Sequence, residues 1–282
     1  MRVHLLVNLY RPDAVTAAEK AVVWLKGEGI EYAADREPAA LIEVPHVSDE
    51  KFGEADLAIA IGGDGTLIRT AHLVSSNQTP ILGVQYGRFG FVTQVQPADF
   101  QTSLEAFIDG KCEIDERMMI RTELIREGKV VAGLESLNET VVQRSAATRM
   151  LTFEVYVNGK ILSRYPADGV MVATPTGSTA YNLSAGGPVV DPGLQALLLT
   201  AIMPHTLSAR PLLLRPDSEL EIKVESREDA VLSCDGHSRL HLLSGDYVRI
   251  TRSEKKTRLV CMQGNDFFDK LAHRLQWSQG KI

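Results

Sequence analysis

The sequence predicts a two-domain protein: an α/β domain with a doubly wound, mostly parallel sheet, followed by an all-β, sandwich-like domain. Over the first 110 residues or so, short apolar runs alternate with segments of helical periodicity; beyond them, β-branched segments alternate with turn dipeptides. The chain has 282 residues, and single hydrophobic cores stop growing at about 250 to 300 residues. We therefore expect two domains.

The α/β domain is predicted to span residues 1–111. Its first strand is the apolar run at residues 2–8, and Pro12 begins the alanine-rich helix after it. The pattern returns with apolar strands at residues 56–61 and 80–85, each followed by a loop and a helical segment. Strands that alternate with helices pair in parallel, and the ligands of such sheets lie beyond the carboxyl ends of the strands. The turns after the strands are therefore the candidate sites.

The β-rich domain is predicted to span residues 112–255. The dipeptide Asn158-Gly159 between two β-branched segments is a strong hairpin signal. Further strand candidates in this range are PLLLRP, ELEIKVE, AVLSCDG and YVRITR. The last segment, residues 256–282, contains the amphipathic stretch FFDKLAHRLQWS, which predicts a helix. We expect this helix to return to the first domain, because an isolated apolar helix face needs a partner to bury it.

Composition and charge argue against several classes of function. The net charge of −6 gives no basic face for nucleic acid or an anionic membrane, and no segment reaches the roughly 18 apolar residues of a membrane span. The three cysteines are odd in number and far apart in sequence, which is typical of free thiols in a reducing compartment. No spacing typical of a zinc site occurs. We expect a cytoplasmic protein that acts on neither nucleic acids nor membranes.

The stretch LAIAIGGDGTLIRTA, at residues 57–71, places three glycines and Asp64 between an apolar strand and a helix. The glycines permit positive φ and let a ligand approach the backbone closely. The alternative is a tight turn in which Asp64 or Thr66 caps the helix. The GxGxxG and GK[ST] phosphate-binding patterns are missing from the sequence, but GGDGT in this setting favours a nucleotide or phosphoryl-transfer site. Arg69, expected in the first turn of the helix, is either a solvated charge or a bidentate ligand of a pyrophosphate.

A second unusual stretch, DGVMVATPTGSTAYNLSAGGPVV, runs from Asp168 to Val190. Here an apolar strand leads into a loop of small and hydroxyl-bearing residues, whose backbone can close around a flat ring. The hydroxyl groups supply donors and acceptors for ribose, amide and phosphate oxygens. A flexible linker is the alternative, but linkers do not usually hold a Tyr and a Pro directly after an apolar strand.

Three more polar residues are candidates. The Asn138 amide can bond both an adenine edge and a sugar hydroxyl, and Glu139 beside it can accept from ribose hydroxyls. Taken alone, this pair is more readily explained as a turn between strands. Arg149 precedes a predicted strand and, like Arg69, is either a solvated charge or a pyrophosphate ligand.

In order and approximate spacing, the motifs GGDGT, GVQYGRFGFV, NE, DGVMVATPTGSTAYNLSAGGPVV, RPLLLRP and CDGH resemble those of the NAD kinase family. The resemblance covers nearly the whole chain. The long motif from Asp168 to Pro188 is highly specific, whereas GGDGT alone is shared with diacylglycerol, sphingosine and phosphofructokinase-type kinases. The resemblance implies transfer of the terminal phosphoryl group of ATP, or of polyphosphate in some members, to the 2′-hydroxyl of the adenosine ribose of NAD, giving NADP. It also implies a divalent cofactor, Mg²⁺, and homodimers or homotetramers with shared sites.

The resemblance also assigns roles to residues of this sequence. Asp64 matches the proton acceptor, with Gly65 in the same turn, and Asn138 and Glu139 match the pair that holds the adenosine part. The other matches are a loop around the dinucleotide and two basic positions near the phosphates: Asp168, Thr176, Thr179, Ala180, Tyr181, Asn182, Leu183, Ser184, Arg69 and Arg149.

Three positions depart from the family pattern. His237, assigned to substrate binding, stands where many relatives have Gln; Gln85 stands where Asn is usual, and Pro166 replaces a position that is often basic. These differences are expected to alter the preference for the acceptor. Two other functions remain open from the sequence: a dinucleotide-binding regulatory module without catalysis, and a lipid or sugar kinase of the wider GGDGT group.

Overall fold

The computed structural model describes residues 1–87, 90–93, 95–145, 150–225, 230–261 and 267–276. The chain forms two compact units. The first consists of Met1–Arg117 together with Lys255–Ile282, and the second of Met118–Glu254. Each unit is described separately below. The predicted domain boundaries at residues 111 and 255 stay a prediction.

Six α-helices and sixteen strands are present in the described part of the chain. In chain order they are β1 (Arg2–Val7), α1 (Pro12–Gly27), β2 (Glu31–Ala34), α2 (Arg36–Leu41), β3 (Leu57–Gly62), α3 (Asp64–Val74), β4 (Ile81–Gln85), α4 (Phe100–Ile108), β5 (Glu113–Arg126), β6 (Lys129–Ser136), β7 (Glu139–Arg144), β8 (Leu151–Val157), β9 (Lys160–Ala167), β10 (Gly169–Ala173), α5 (Tyr181–Ser184), β11 (Leu197–Ile202), β12 (Leu212–Leu214), β13 (Leu220–Glu225), β14 (Ala230–Cys234), β15 (His237–Leu242), β16 (Tyr247–Cys261) and α6 (Phe267–Leu275). Short 3-10 helices lie at Asp49–Glu54, Pro97–Asp99 and Thr176–Thr179.

The first unit is built on a parallel sheet in the order β2-β1-β3-β4. Every residue of β3 is buried, as is typical of a strand covered by helices on both faces of a sheet. The core of the unit packs apolar side chains of these strands against α1 and α4, among them Leu5, Leu25, Ile59, Leu82 and Leu104. The predicted doubly wound, mostly parallel sheet is therefore confirmed, and the predicted C-terminal helix, α6, belongs to this unit.

The second unit contains two antiparallel sheets. One follows the order β16-β13-β8-β9, with β6 paired to β5, and the other follows the order β12-β11-β10-β7-β14-β15. Apolar side chains from both sheets form a single core, which includes Phe153, Val172, Leu199 and Leu232. The predicted sandwich-like domain is therefore confirmed.

The hairpin between β8 and β9 forms where the Asn-Gly signal predicts it. Val157 pairs with Lys160, and the two turn residues, Asn158 and Gly159, have φ of 51° and 75°. Positive φ at both central residues is the geometry of the type I′ turn, which matches the twist of paired strands. No described helix has both the length and the apolar character that a membrane crossing requires.

Candidate active site

The glycine turn of the first unit joins β3 directly to α3. Asp64 is the first residue of α3, and Gly63 takes the capping position that the sequence offers to Asp64 or Thr66. None of the three turn glycines is among the described residues with positive φ, so the turn does not use the backbone freedom that glycine permits. Gly62 is needed for space instead, because an added Cβ would collide with Thr66, whereas an added Cβ at Gly65 would meet no heavy atom within 4 Å. The turn therefore offers an open backbone surface next to Asp64.

Three backbone N–H groups hold the Asp64 carboxylate. Its Oδ2 accepts from Phe91 N at 2.8 Å, and its Oδ1 accepts from Val92 N at 3.1 Å and Thr93 N at 3.0 Å. Gly90 makes this approach possible, because a Cβ there would collide with the carboxylate. The three bonds fix the direction of the carboxylate, and Oδ2, with one backbone donor, keeps acceptor capacity for a second.

Arg69 lies in the second turn of α3 rather than the first, because the helix begins at Asp64. Its Nη2 donates to Asp35 Oδ2 at 2.7 Å, and the Asp35 carboxylate is buried while Arg69 is half-exposed. Asp35 also accepts from Arg36 N at the start of α2. Arg69 thus has a structural partner, and its contact with a phosphate stays a prediction.

In the second unit, one aspartate orders the Asn-Glu motif. Asp235 Oδ2 accepts from Leu137 N at 2.7 Å, and its Oδ1 accepts from Asn138 N at 2.8 Å and Glu139 N at 3.0 Å. Asp235 lies in the CDGH motif and is not among the site residues predicted from the sequence. The dipeptide Asp235-Gly236 is a local signal for a hairpin turn, and in the structure the two residues have φ of 50° and 74°.

Two buried acceptor atoms of the motif have no hydrogen-bond donor among the described residues: Asn138 Oδ1 and Glu139 Oε2. Burial, together with the neighbouring charge of Asp235, raises the pKa of Glu139 to about 8, although the backbone N–H of Tyr181 opposes the shift. The protonated, neutral form of the side chain therefore predominates at pH 7 in the free protein. A ligand that brings hydroxyl or amine donors would satisfy both atoms and favour the ionised carboxylate.

The hydroxyl-rich loop packs against the backbone of the same motif. Thr174 N donates to Asn138 O at 2.8 Å, Thr174 Oγ1 donates to Leu137 O at 2.6 Å, and Gly177 N donates to Thr174 Oγ1 at 3.0 Å. These bonds bring together two motifs that are about 40 residues apart in sequence. The structure thus unites the predicted adenosine-binding pair with the predicted dinucleotide loop.

Within the loop, the polar side chains divide into two groups. Asn182 is fully buried and its amide is used internally: it donates to Ser178 O and Pro188 O and accepts from Thr200 Oγ1 at 2.8 Å. Its side chain therefore has a structural role. Thr176 is also buried. The remaining predicted loop residues are partly or fully exposed: Thr179, Ala180, Tyr181, Leu183 and Ser184.

Two further predicted residues, Asp168 and His237, lie at the beginnings of strands in the second unit. Asp168 precedes β10, and its carboxylate accepts from Arg144 Nε at 2.8 Å and Nη2 at 3.3 Å, a partner that sequence reasoning missed. His237 is exposed at the start of β15. Arg149 lies outside the described residues. Among the described residues, no group of three or more His, Cys, Asp or Glu side chains is arranged to hold a metal ion.

Gly177→Ala is expected to destabilise the second unit. A Cβ at this position would lie 2.7 Å from Asn138 Cα and would collide with the Asn138 carbonyl, so the loop must move away from the motif. Overpacking of this kind costs about 1–3 kcal/mol, which denaturant unfolding measures. Gly27→Ala is the control, because no heavy atom lies within 4 Å of its Cβ; equal stability of the two variants would contradict the close approach.

Family models match both parts of the chain. Residues 3–112 match the ATP-NAD kinase N-terminal domain, and residues 137–262 match the ATP-NAD kinase C-terminal domain. The NAD kinase of Geotalea daltonii is 37% identical over 281 residues, which cover 99% of each chain. The NAD kinase of Desulforamulus reducens is 39% identical over 281 residues, which cover 98% of each chain.

Solved structures are similar as well. The crystal structure of yeast NADH kinase complexed with NADH has a TM-score of 0.93 at 24% identity, covering 100% of this chain and 89% of that one; at this identity the likeness concerns the fold. The crystal structure of an NAD kinase from Archaeoglobus fulgidus in complex with ATP has a TM-score of 0.77 at 25% identity, covering 98% and 99% of the two chains.

Proposed function

The chain belongs to the NAD kinase family, and we propose that Asp64 takes the proton of the 2′-hydroxyl when the chain phosphorylates NAD to NADP. The observation that carries this proposal is the Asp64 carboxylate itself. Three N–H groups fix it in one direction and leave Oδ2 with capacity for a further donor. A hydroxyl that donates to Oδ2 would lose its proton to Asp64 as it attacks the phosphoryl group.

The adenosine part of NAD is assigned to the second unit. The two unsatisfied acceptors, Asn138 Oδ1 and Glu139 Oε2, suit the donors of an adenine edge and of ribose hydroxyls. The exposed loop residues supply further contacts around the dinucleotide, namely Thr179, Ala180, Tyr181, Leu183 and Ser184, with Asp168 and His237 beside them. Asn182 and Thr176 shape the loop from within.

We propose ATP as the phosphoryl donor, with Mg²⁺ as its cation. A solved relative at 25% identity is named as an NAD kinase in complex with ATP. Mg²⁺ in such reactions takes most of its ligands from phosphate oxygens and water, so the oxygen donors it needs come with the nucleotide. When bound, the ion neutralises charge that develops on the transferred phosphoryl group. Arg69 and Arg149 are the cationic side chains proposed to lie near the phosphates.

The family likeness also supports an oligomer in the cytoplasm. The likeness to curated NAD kinases extends over nearly the full length of the chain, which supports the expectation of a homodimer or homotetramer with shared sites. Sedimentation measures the oligomer directly. Sites shared between subunits predict that dilution to the monomer lowers specific activity.

Purified protein given NAD, ATP and Mg²⁺ is expected to form NADP, read by an NADP-specific dehydrogenase. Activity should disappear on chelation of the divalent cation and return when Mg²⁺ is added. Bound NAD without any NADP would indicate a regulatory module, and absence of NAD binding would indicate a kinase with another acceptor. Polyphosphate in place of ATP, in a parallel assay, identifies the donor.

A further inference from the structure

A buried lysine in α6 is not explained by the proposed reaction. Lys270 is 4% exposed, and its Nζ donates to the carbonyl oxygen of Thr93 at 3.0 Å. An ammonium group taken out of water is costly and persists only where hydrogen bonds and opposite charges compensate for it. An apolar side chain would fill the same place in the core of the first unit without this cost.

The partner of Lys270 is the segment that holds Asp64. Thr93 accepts from Lys270 through its carbonyl oxygen, and its own N–H donates to Asp64 Oδ1 at 3.0 Å. A second contact joins α6 to the same segment, because the Arg274 guanidinium lies 6.0 Å from the centroid of the Phe91 ring. The C-terminal helix therefore contacts both ends of residues 91–93.

The charged and titratable groups that face Lys270 come from three other elements. They are Asp64 on α3, Asp115 and Arg117 on β5, and Cys261 at the end of β16. Burial lowers the pKa of Lys270 to about 8; Asp64 is the strongest of the groups that counteract this shift, Arg117 adds to it, and Cys261 and Asp115 oppose it. Burial raises the pKa of the Cys261 thiol to about 11, so Cys261 opposes the shift only where it ionises, above the pH at which Lys270 titrates.

We propose that Lys270 is a positioning residue for Asp64: its ammonium group fixes the 91–93 segment, whose N–H groups aim the carboxylate at the acceptor hydroxyl. This inference rests on the proposed role of Asp64 as proton acceptor. A charge-assisted bond to the Thr93 carbonyl holds a peptide group more firmly than a neutral one does. The attraction between the Lys270 ammonium and the Asp64 carboxylate also holds the 91–93 segment in place, because this segment is bonded to both groups.

Lys270→Met keeps an unbranched side chain of about the length of the lysine's aliphatic part and removes the charge. We expect kcat at pH 7 to fall roughly tenfold, since bonds to charged groups are worth that much or more, while the KM for NAD stays within about twofold. The melting temperature is expected to fall, because the Thr93 carbonyl loses this donor while Asp64 keeps its charge, so kcat is compared at a temperature where all variants are folded. Lys270→Arg restores the charge and is expected to restore most of kcat.

The pH profile separates positioning by charge from simple packing. The wild-type ammonium deprotonates above pH 8, so the ratio of wild-type kcat to Lys270→Met kcat should shrink between pH 7 and pH 9.5. Lys270→Arg keeps its charge and should hold its kcat to higher pH than the wild type. Glu139 titrates in the wild type, in Lys270→Met and in Lys270→Arg alike, so its effect cancels when kcat values are compared as ratios.

A ratio of wild type to Lys270→Met that is the same at every pH would overturn the proposal, and so would equal kcat values. If Lys270→Met does not fold, Lys270→Arg provides the test. A kcat of Lys270→Arg that falls at the same alkaline pH as the kcat of the wild type would overturn the proposal. Lys111→Met is the matched control: Lys111 is an exposed lysine of the same unit, 2.7 Å from Asp109, and its loss should leave kcat unchanged. A wild-type protein that makes no NADP would refute the proposed function itself, which is a different outcome.

Discussion

Asp64→Asn is expected to lower kcat by about 10²- to 10⁴-fold, the usual contribution of a positioned general base, while the Kd for NAD changes by less than about threefold. The affinity should survive because the proposed adenosine contacts, Asn138 and Glu139, belong to the second unit. Steady-state kinetics gives kcat, and calorimetric titration gives Kd.

The control for this variant is Asp109→Asn, an exposed carboxylate of the same unit. Asp64→Asn also places an amide N–H against the Phe91 N–H that now donates to Oδ2 at 2.8 Å, so some stability is lost, about 1–3 kcal/mol. Thermal melting of both variants shows whether the fold persists at the assay temperature. Unchanged turnover in a folded Asp64→Asn would rule out its role as proton acceptor.

Glu139→Gln is expected to abolish a pH dependence of folding stability. Folding raises the pKa of Glu139 from its ordinary value of 4.5 to about 8, so between those pH values the folded state holds a proton that the unfolded chain has released. The stability of the wild type therefore falls as pH rises through this window, by up to about 4 kcal/mol relative to Glu139→Gln. Urea unfolding at pH 5 and pH 8 measures the difference.

The same residue is expected to couple NAD binding to proton release. Ribose hydroxyls that donate to Glu139 favour its ionised form, so NAD should bind more tightly as pH rises towards 8, by up to about tenfold per pH unit. Titration calorimetry in two buffers of different ionisation enthalpy should detect the released proton in the wild type and not in Glu139→Gln. Glu219→Gln, an exposed carboxylate of the same unit, serves as control. Equal affinity at pH 6 and pH 8 would show that Glu139 keeps its proton in the complex.

Local patterns predict the elements that hold these residues. The continuous apolar run of β3, the Asn-Gly turn after β8 and the apolar strand β10 each carry a signal within a few residues, and each forms as expected. Elements with weaker signals are missed. The six-residue helix α2 is too short to show a helical period, and the leucine-rich run of β11 cannot be told from a buried helix segment by periodicity alone.

The partners of the site residues are harder to predict, because they are distant in sequence. Asp64 is held by backbone donors 27 to 29 residues away, and the Asn-Glu motif is held by Asp235, almost 100 residues on. The glycine turn shows the same limit of local reasoning: its first glycine is required by the side chain of Thr66 rather than by its own φ. Residue types predict the chemistry of the site, and tertiary contacts decide the direction of each group.

The unequal loading of the two Asp64 oxygens matters for inhibitor design. Oδ1 already accepts two backbone N–H groups, while Oδ2 accepts one. A planar amidinium or guanidinium group, which donates to both oxygens of a carboxylate, would compete with the backbone N–H groups that already donate to Asp64. A compound with a single hydroxyl or amine aimed at Oδ2 meets no such competition. Selective ligands for the Asp64 carboxylate should therefore present one hydrogen-bond donor rather than a bidentate pair of donors.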